Sequence, residues 1–277
     1  LALRVHAPGA CDQHEGGLGE IDEYLSPAMQ VGKPEWVSHD GQPILSVDCH
    51  PDGCRFATAG QDHLVKLWSM LPVISQAAEQ DSTKPRLLSV LSGHSGAVNC
   101  VRWSCDGSVL ASASDDESII IWRRAAAGER TLGAVQFGSS VSQQSVERWR
   151  SVTTLRGHRG DVVDLSWAPQ ELLLASVSVD NTVRLWNFND KQQAVAVLQG
   201  HKGMVKGIAW DPIGRYLASQ GDDRSVILWE IRDHSIAARI EEPFQRSSQK
   251  TLFRRLGWSP DGSFLCCPQA YRKPAHI

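Results

Sequence analysis

A pattern that ends in tryptophan repeats four times along this chain of 277 residues and constrains its fold more than any other feature. Each copy ends on a short alternating run, in the segments LVKLW, SIIIW, TVRLW and SVILW. An aspartate stands six residues before each tryptophan, a serine or threonine four residues before the aspartate, and a histidine 28 or 29 residues before the tryptophan. The four sets are His39, Thr58, Asp62 and Trp68; His94, Ser112, Asp116 and Trp122; His158, Ser176, Asp180 and Trp186; and His201, Ser219, Asp223 and Trp229. Four features kept in register four times indicate a repeated structural unit.

Each copy contains three alternating apolar runs separated by tight polar turns, which is typical of antiparallel strands. The first turns read HPDG, SCDG, APQE and DPIG. A fourth, outer strand fits between each tryptophan and the next Gly-His pair, as in AVAVLQGH. Four strands in a unit of roughly 40 residues, with Gly-His and a terminal tryptophan, are the signature of a WD-repeat β-propeller blade. We therefore predict an all-β chain built as a WD-repeat β-propeller.

The sequence holds four full blades and most of a fifth. The segment WSPDG at residues 258–262 opens the fifth blade, whose terminal tryptophan would fall at the last residue of the chain. A propeller removes bare sheet edges by closing its ring, so we expect residues 33–277 to form an open arc of an incomplete ring. Residues 1–32 are glycine-rich and acidic without periodicity, and we expect a disordered extension there.

Two connections are longer than the repeat requires. Residues 71–88 form a polar insert, which we expect to be a surface loop. Residues 123–150 form the other insert and contain Phe137, Trp149 and several arginines, a composition that suits a protein interface. In the alternative interpretation, Trp149 and Val152 simply begin the outer strand of a blade. The sequence leaves both interpretations open.

Composition excludes several classes of protein. Hydrophobic residues make up 42% of the chain and charged residues 21%, as in globular proteins, and no apolar run approaches the roughly 18 residues of a membrane helix. The net charge of −3 lacks the strongly basic character of a protein that grips DNA by itself. The seven cysteines include no CxxC pair, so a zinc site or a disulfide framework is not expected, and a reducing compartment, nucleus or cytosol, fits best.

Histidine, serine and aspartate that recur together raise the possibility of a hydrolase triad. A catalytic site needs one constellation in one pocket, whereas this set occurs in all four copies and no G-x-S-x-G elbow is present. We expect instead that each histidine hydrogen-bonds its aspartate, with the hydroxyl and the indole N–H completing a buried chain. The sequence contains no phosphate-binding loop, metal-ligand cluster or flavin motif, so it predicts neither an enzyme nor a cofactor.

Residues beside the turn aspartate and after the loop histidine are expected to face one rim of the propeller, where they either contact partner proteins or are ordinary solvated loop residues. The candidates beside the aspartate are Gln61, Asp115, Val179 and Asp222, those after the histidine are Asp40, Ser95, Arg159 and Lys202, and Trp149 is a further candidate.

Several segments together resemble the histone regulator A (HIRA) family of WD-repeat proteins. They include FGSS at 137–140, VERW at 146–149, TLRGHRGDVVDLSWAP, SVDNTVRLWN, GMVKGIAWDPIGRYLASQGDD and FRRLGWSPDG. The resemblance covers about residues 33–277, and FRRLGWSPDG with the closing YRKPAHI is most similar to the plant and green-alga form. Cys49 departs from the pattern, because a tryptophan is expected at its position.

The resemblance implies a nuclear subunit of a histone chaperone (HIR) complex, with an N-terminal seven-bladed propeller, that acts in replication-independent nucleosome assembly and transcriptional repression. The implied partners are the other complex subunits, core histones held through the complex, and an anti-silencing-function chaperone bound by regions outside this chain. DNA is contacted only indirectly, and no membrane is involved.

Two alternatives stay open. The WD-repeat subunit of chromatin assembly factor is similar across SVDNT, WDP and FRRL but serves replication-coupled deposition. A WD-repeat substrate receptor of a ubiquitin ligase belongs to another class and would need an adaptor-docking element.

Overall fold

A computed structural model describes residues 2–4, 30–32, 34–126, 145–187, 194–248 and 250–270, with side chains from residue 34 onward. Two short strands, β1 (Ala2–Arg4) and β2 (Gln30–Gly32), pair antiparallel near the start of the chain. The rest of the segment 1–32 lies outside the described residues, so its disorder stays a prediction. Phe137 and the FGSS segment, together with the closing YRKPAHI, also fall outside them.

Four antiparallel sheets of four strands each make up most of the described chain, and each keeps its strands in sequence order. Blade 1 contains β3 (Ile44–Cys49), β4 (Arg55–Gly60), β5 (Leu64–Ser69) and β6 (Leu87–Ser92). Blade 2 contains β7 (Val98–Trp103), β8 (Leu110–Ser114), β9 (Ser118–Arg124) and β10 (Trp149–Arg156). Blade 3 contains β11 (Val162–Trp167), β12 (Leu173–Ser178), β13 (Thr182–Asn187) and β14 (Ala194–Gln199), and blade 4 contains β15 (Val205–Trp210), β16 (Tyr216–Gly221), β17 (Val226–Glu230) and β18 (Ser235–Ile240).

These sheets confirm the predicted WD-repeat β-propeller with four full blades and a fourth, outer strand in each. A short 3₁₀ helix, η1 (Glu242–Phe244), leads to the opening of a fifth blade, where β19 (Gly257–Trp258) pairs with β20 (Leu265–Cys266). Within the described residues, no helix has the length and apolar character needed to cross a membrane.

The burial of the strands follows their position in the blade. The second strands are buried almost throughout, as in LLASVS of β12, because neighbouring blades cover both faces of the sheet. The outer strand β14 instead alternates between exposed residues and half-buried ones, with only Leu198 buried. The hydrophobic core therefore lies between blades, where apolar side chains of one sheet pack on the next.

Tryptophans of the innermost strands also hydrogen-bond the preceding blade. The indole N–H of Trp167 donates to the carbonyl of Arg102 at 3.0 Å, and that of Trp210 donates to the carbonyl of Ser166 at 3.1 Å. Trp258 of the fifth blade repeats this contact on Ala209 at 3.2 Å. The same bond thus links three successive pairs of blades.

Gly207 in β15 permits the fifth blade to approach blade 4. The backbone N–H of Arg254 donates to the carbonyl of Lys206 at 2.9 Å. A Cβ at Gly207 would collide with the carbonyl of Arg254, so a residue without a side chain is required there.

A charged cluster lies where the innermost strands converge. The carboxylate of Asp164 is buried and lies 3.4 Å from a guanidinium nitrogen of Arg102 and 3.6 Å from Nε of Arg255. Arg255 also donates to the carbonyls of Leu45 at 2.9 Å and Asn99 at 2.7 Å. The chain leading into the fifth blade is therefore tied to blades 1, 2 and 3 through one side chain.

The first insert is more ordered than the expected surface loop. It forms α1 (Leu71–Ile74) and α2 (Gln76–Gln80), and the side chain of Ser75 caps α2 by accepting from the N–H of Ala78. Val73 packs with Phe56 and Trp68 of blade 1. The prediction of a polar loop is wrong for this part because the apolar start of the insert covers the end of the blade.

Candidate functional site

Each of the four blades brings its histidine, hydroxyl, aspartate and tryptophan into one hydrogen-bonded chain, which we call the blade tetrad. Histidine Nδ1 lies 2.7–3.0 Å from an aspartate oxygen in all four blades. Histidine Nε2 lies 2.7–2.8 Å from the hydroxyl oxygen, and the tryptophan N–H donates to that same oxygen at 2.7–2.8 Å.

The chemistry of the four groups fixes the direction of these bonds. An indole N–H can only donate, so the hydroxyl oxygen accepts from it and turns its own proton toward histidine Nε2. The histidine then carries its proton on Nδ1 and donates it to the ionised aspartate. A neutral histidine therefore satisfies every donor and acceptor of the chain.

The pKa shifts agree with this assignment. Burial lowers the pKa of His39 and of His158, although the bond to the aspartate of the same blade opposes the shift. For Asp116, Asp180 and Asp223, burial acts to raise the pKa, but hydrogen bonds from the histidine, a neighbouring hydroxyl and a backbone N–H outweigh it. The pKa of each of these carboxyls is held well below its usual range, so it stays ionised.

The turn that holds each aspartate is built in the same way in all blades. The aspartate accepts the backbone N–H two residues further along, as Asp116 does from Ser118 at 3.0 Å. The intervening residue adopts a left-handed backbone, with φ between 59° and 68° at His63, Glu117, Asn181 and Arg224. This turn aims the carboxylate back at the loop histidine.

The geometry does not resemble a hydrolase triad. Ser112, Ser176 and Ser219 are fully buried, and their oxygens already accept from tryptophan. A nucleophile must reach its substrate, and these hydroxyls do not. Within the described part of the chain, no group of three histidine, cysteine, aspartate or glutamate side chains is placed to hold a metal ion.

Burial keeps the thiols of two cysteines protonated. Cys100 is fully buried with Sγ 3.2 Å from a carboxylate oxygen of Asp164, and burial raises the pKa of its thiol to about 12. Burial likewise raises the pKa of Cys267 to about 11. Both groups are therefore protonated thiols at neutral pH.

The rim candidates occupy equivalent places at one end of the blades. Gln61, Asp115, Val179 and Asp222 each donate their backbone N–H to a carbonyl of the loop that follows the histidine. In blades 2, 3 and 4, the residue after the histidine donates its N–H to the turn aspartate, from Ser95, Arg159 and Lys202. Asp40 of blade 1 differs, because its N–H donates to Ser38 Oγ. We call this end of the blades the histidine rim.

Two acidic rim candidates are engaged within the protein. Asp222 is ion-paired with Lys206 at 2.6 Å and with the buried guanidinium of Arg254 at 2.8 Å. Asp115 accepts from the amide of the buried Asn99 at 2.6 Å. The sequence did not indicate these partners, since each lies in a different element from the aspartate it binds.

Trp149 does not lie on the histidine rim. It begins the outer strand β10 and pairs with Arg124 at the end of β9, whereas the rim lies where β9 begins, beside Asp116. Its ring packs on Trp103 at 5.4 Å between centroids. Of the two interpretations of this residue, the structure supports the outer strand.

Glu147 makes contacts that the sequence did not predict. Its carboxylate is 8% exposed and binds the guanidinium of Arg55 through both oxygens, at 2.8 Å and 3.0 Å. It also accepts the indole N–H of Trp149 at 3.0 Å, and its backbone N–H donates to the carbonyl of Leu88. The end of the second insert is thus fastened to blade 1. The VERW segment contains Glu147 and was noted in the sequence, but no pattern in the sequence indicated that Glu147 pairs with Arg55.

Comparison with known proteins places this architecture in a family. The family model described as the CAF1B/HIR1 beta-propeller domain matches residues 29–276. The chain is 52% identical over 246 residues to Protein HIRA of Takifugu rubripes and 50% identical over 246 residues to Protein HIRA of Homo sapiens. Each match covers 87% of this chain and 24% of the relative.

Protein HIR1 of Cryptococcus neoformans is 44% identical over 255 residues, which is 90% of this chain and 28% of that protein. The chain thus spans about a quarter of the length of the curated relatives it matches. With its four tetrad-bearing blades, the chain belongs to the CAF1B/HIR1 β-propeller family.

Proposed function

We propose that this chain is the propeller of a HIRA-type subunit of a histone chaperone complex, and that it serves as a scaffold in replication-independent nucleosome assembly and transcriptional repression. The observation that carries the proposal is about 50% identity to HIRA proteins over 87% of the chain. The role is binding without chemistry, because rigid blades present loops whose side chains select partners.

Within this proposal the blade tetrads are structural and the histidine rim is a docking surface. The tetrad aspartates of blades 3 and 4 accept the N–H groups of Arg159 and Lys202, and in blade 1 Gln61 donates its N–H to the carbonyl of Pro43. The exposed side chains of these three residues are therefore displayed from fixed backbone. The proposed partners are the other complex subunits, with core histones held through the complex. An anti-silencing-function chaperone would bind regions outside residues 33–277, and DNA would be reached only through partners.

The chromatin assembly factor subunit is the second candidate, since the matching family model describes CAF1B together with HIR1. It would act in replication-coupled deposition. The HIRA and HIR1 relatives favour the first candidate over this one and over a ubiquitin-ligase receptor.

The test is to tag the full-length protein that contains this chain and to identify what co-purifies from nuclei inside and outside S phase. Core histones with HIR-complex subunits in both phases are expected, as is nuclear localisation of the tagged protein by imaging. Capture confined to S phase, with chromatin assembly factor subunits, would instead support the second candidate. Cullin adaptors without histones would contradict both.

A further inference from the structure

In three of the four blades, the side chain of a lysine or arginine lies close to the backbone of the residue before the loop histidine. In two of these blades, that cationic side chain is ion-paired with a carboxylate. In blade 1, Lys66 donates to the carbonyl of Ser38 at 3.0 Å and is ion-paired with Asp40 at 3.1 Å and Asp62 at 3.6 Å. In blade 4, Arg239 donates to the carbonyl of Gly200 and lies 3.5 Å from Asp223. The protein supplies the anion itself in both places.

Among the described residues, blade 3 has the cation without a carboxylate partner. Arg184 occupies the position of Lys66 in the repeat, and its Nη1 lies 2.9 Å from where a Cβ on Gly157 would be. Nε of Arg184 is buried, yet no described residue accepts a hydrogen bond from it. Unlike Asp62 in blade 1, Asp180 forms no ion pair with this cation among the described residues; it binds the histidine, the N–H of Arg159 and Thr182.

Blades 1 and 3 also differ in the charge of the residue after the loop histidine. In blade 1 it is Asp40, the partner of Lys66, whereas in blade 3 it is Arg159, which is exposed. A second guanidinium therefore follows the histidine in the blade where Nε of the first has no acceptor among the described residues. Buried guanidinium N–H groups without an acceptor are costly, so a ligand that supplies oxygen acceptors is favoured there.

The surroundings of Arg184 favour a peptide as the source of that anion. Val197 is the cross-strand partner of Arg184 and shares its face of the sheet, and Val195 lies two residues further back on the same strand, at a bulge. The two valines are 42% and 49% exposed on β14, the outermost strand of the blade. The net charge of −3 favours a peptide over nucleic acid as the source of the anion.

We propose that Arg184 and Arg159 form a docking site on blade 3 for an acidic peptide of a partner protein, whose carboxylate takes the place that Asp40 holds in blade 1. Apolar residues of the peptide lie on Val195 and Val197. The site does not depend on the proposed function, since it follows from the comparison of blades within one chain.

The test uses a fluorescein-labelled peptide of alternating valine and glutamate, with a matched peptide of valine and glutamine, and measures binding to the chain by fluorescence anisotropy. We expect the glutamate peptide to bind about tenfold more tightly than its match, with affinity that falls as salt rises. Arg184→Ile should abolish this preference and still fold, because isoleucine stands at the same position in blades 2 and 4, as Ile120 and Ile227. Arg232→Gln, an equal charge loss in the turn between β17 and β18, should leave binding unchanged.

Arg159→Asp is the sharpest variant. It places a carboxylate after the loop histidine, as Asp40 does in blade 1, and removes the second guanidinium, so we expect the glutamate peptide to lose its site while the melting temperature stays level or rises. The proposal is overturned if the chain does not distinguish the two peptides, or if Arg184→Ile binds as the unaltered chain does. It is also overturned if duplex DNA competes for Arg184 more strongly than the glutamate peptide, because the ligand would then be a phosphate backbone.

Discussion

At the scale of single residues, the account depends on the blade tetrad. Its indole, hydroxyl, imidazole and carboxylate form a directed chain in which no member lacks a partner, as in blade 3 from Trp186 to Asp180. Removal of one member leaves buried polar groups unsatisfied, which costs more than the net contribution of the bond itself. The tetrad should therefore contribute to stability wherever it occurs.

Asp180→Ala tests this directly. Loss of the carboxylate leaves the buried His158 and two backbone N–H groups without the acceptor that Asp180 provides. We therefore expect the free energy of unfolding to fall by about 1–3 kcal/mol or more. Chemical denaturation measures the change. As the control, Glu171→Ala removes an exposed carboxylate from the turn between β11 and β12 and should cost no more than about 0.5 kcal/mol. Equal stability of the Asp180 variant and the unaltered chain would refute the structural assignment of the tetrad.

At the scale of strands and inserts, prediction succeeded where the period was strong. The tryptophan-ended runs predicted the strands correctly because every copy repeats the same alternation. The helices α1 and α2 were missed because an insert has no period, and only the apolar segment LPVI signals that part of it is buried. The contact of Glu147 with Arg55 joins residues 92 positions apart, and no local pattern records such a pair.

Glu147→Gln tests the importance of that contact. The amide can still accept from Trp149, but the half-buried guanidinium of Arg55 loses the closer of its two carboxylate partners and keeps only Asp52 at 3.3 Å, so we expect a cost of about 1–3 kcal/mol in unfolding free energy. A double-mutant cycle with Arg55→Gln is the control. The double variant should lose clearly less than the sum of the two single losses, whereas simple additivity would mean that the pair is not coupled.

At the scale of the whole molecule, the histidines and aspartates of the tetrads make the stability of the fold depend on pH. The lowered pKa of His39 and His158 means that the unfolded chain binds protons first as the pH falls below about 6.5, so that stability is lost from there downward. The depressed pKa of Asp116, Asp180 and Asp223 adds a second loss below about 4, where the unfolded carboxyls protonate first.

The expected pH profile is a melting temperature that is level near neutral pH, declines below about 6.5 and falls more steeply below about 4. Asp48 opposes the second decline, because burial raises its pKa in the folded chain. Calorimetry or circular dichroism over the pH range measures the profile. His158→Gln removes one of the two histidines with a lowered pKa and should make the first decline shallower. For the unaltered chain, a melting temperature that stays constant from neutral pH to pH 5 would contradict the assignment of neutral histidines.

The central claim is that four equivalent blades are each locked by the same directed chain of hydrogen bonds, which makes the molecule a rigid scaffold. Nitrogen-15 NMR of the histidine rings tests it most directly. The account predicts that the rings of His39, His94, His158 and His201 carry a proton on Nδ1 that is protected from solvent exchange, and that His39 and His158, whose pKa burial lowers, are neutral at pH 7. Doubly protonated imidazolium rings, or the proton on Nε2 with rapid exchange, would contradict it.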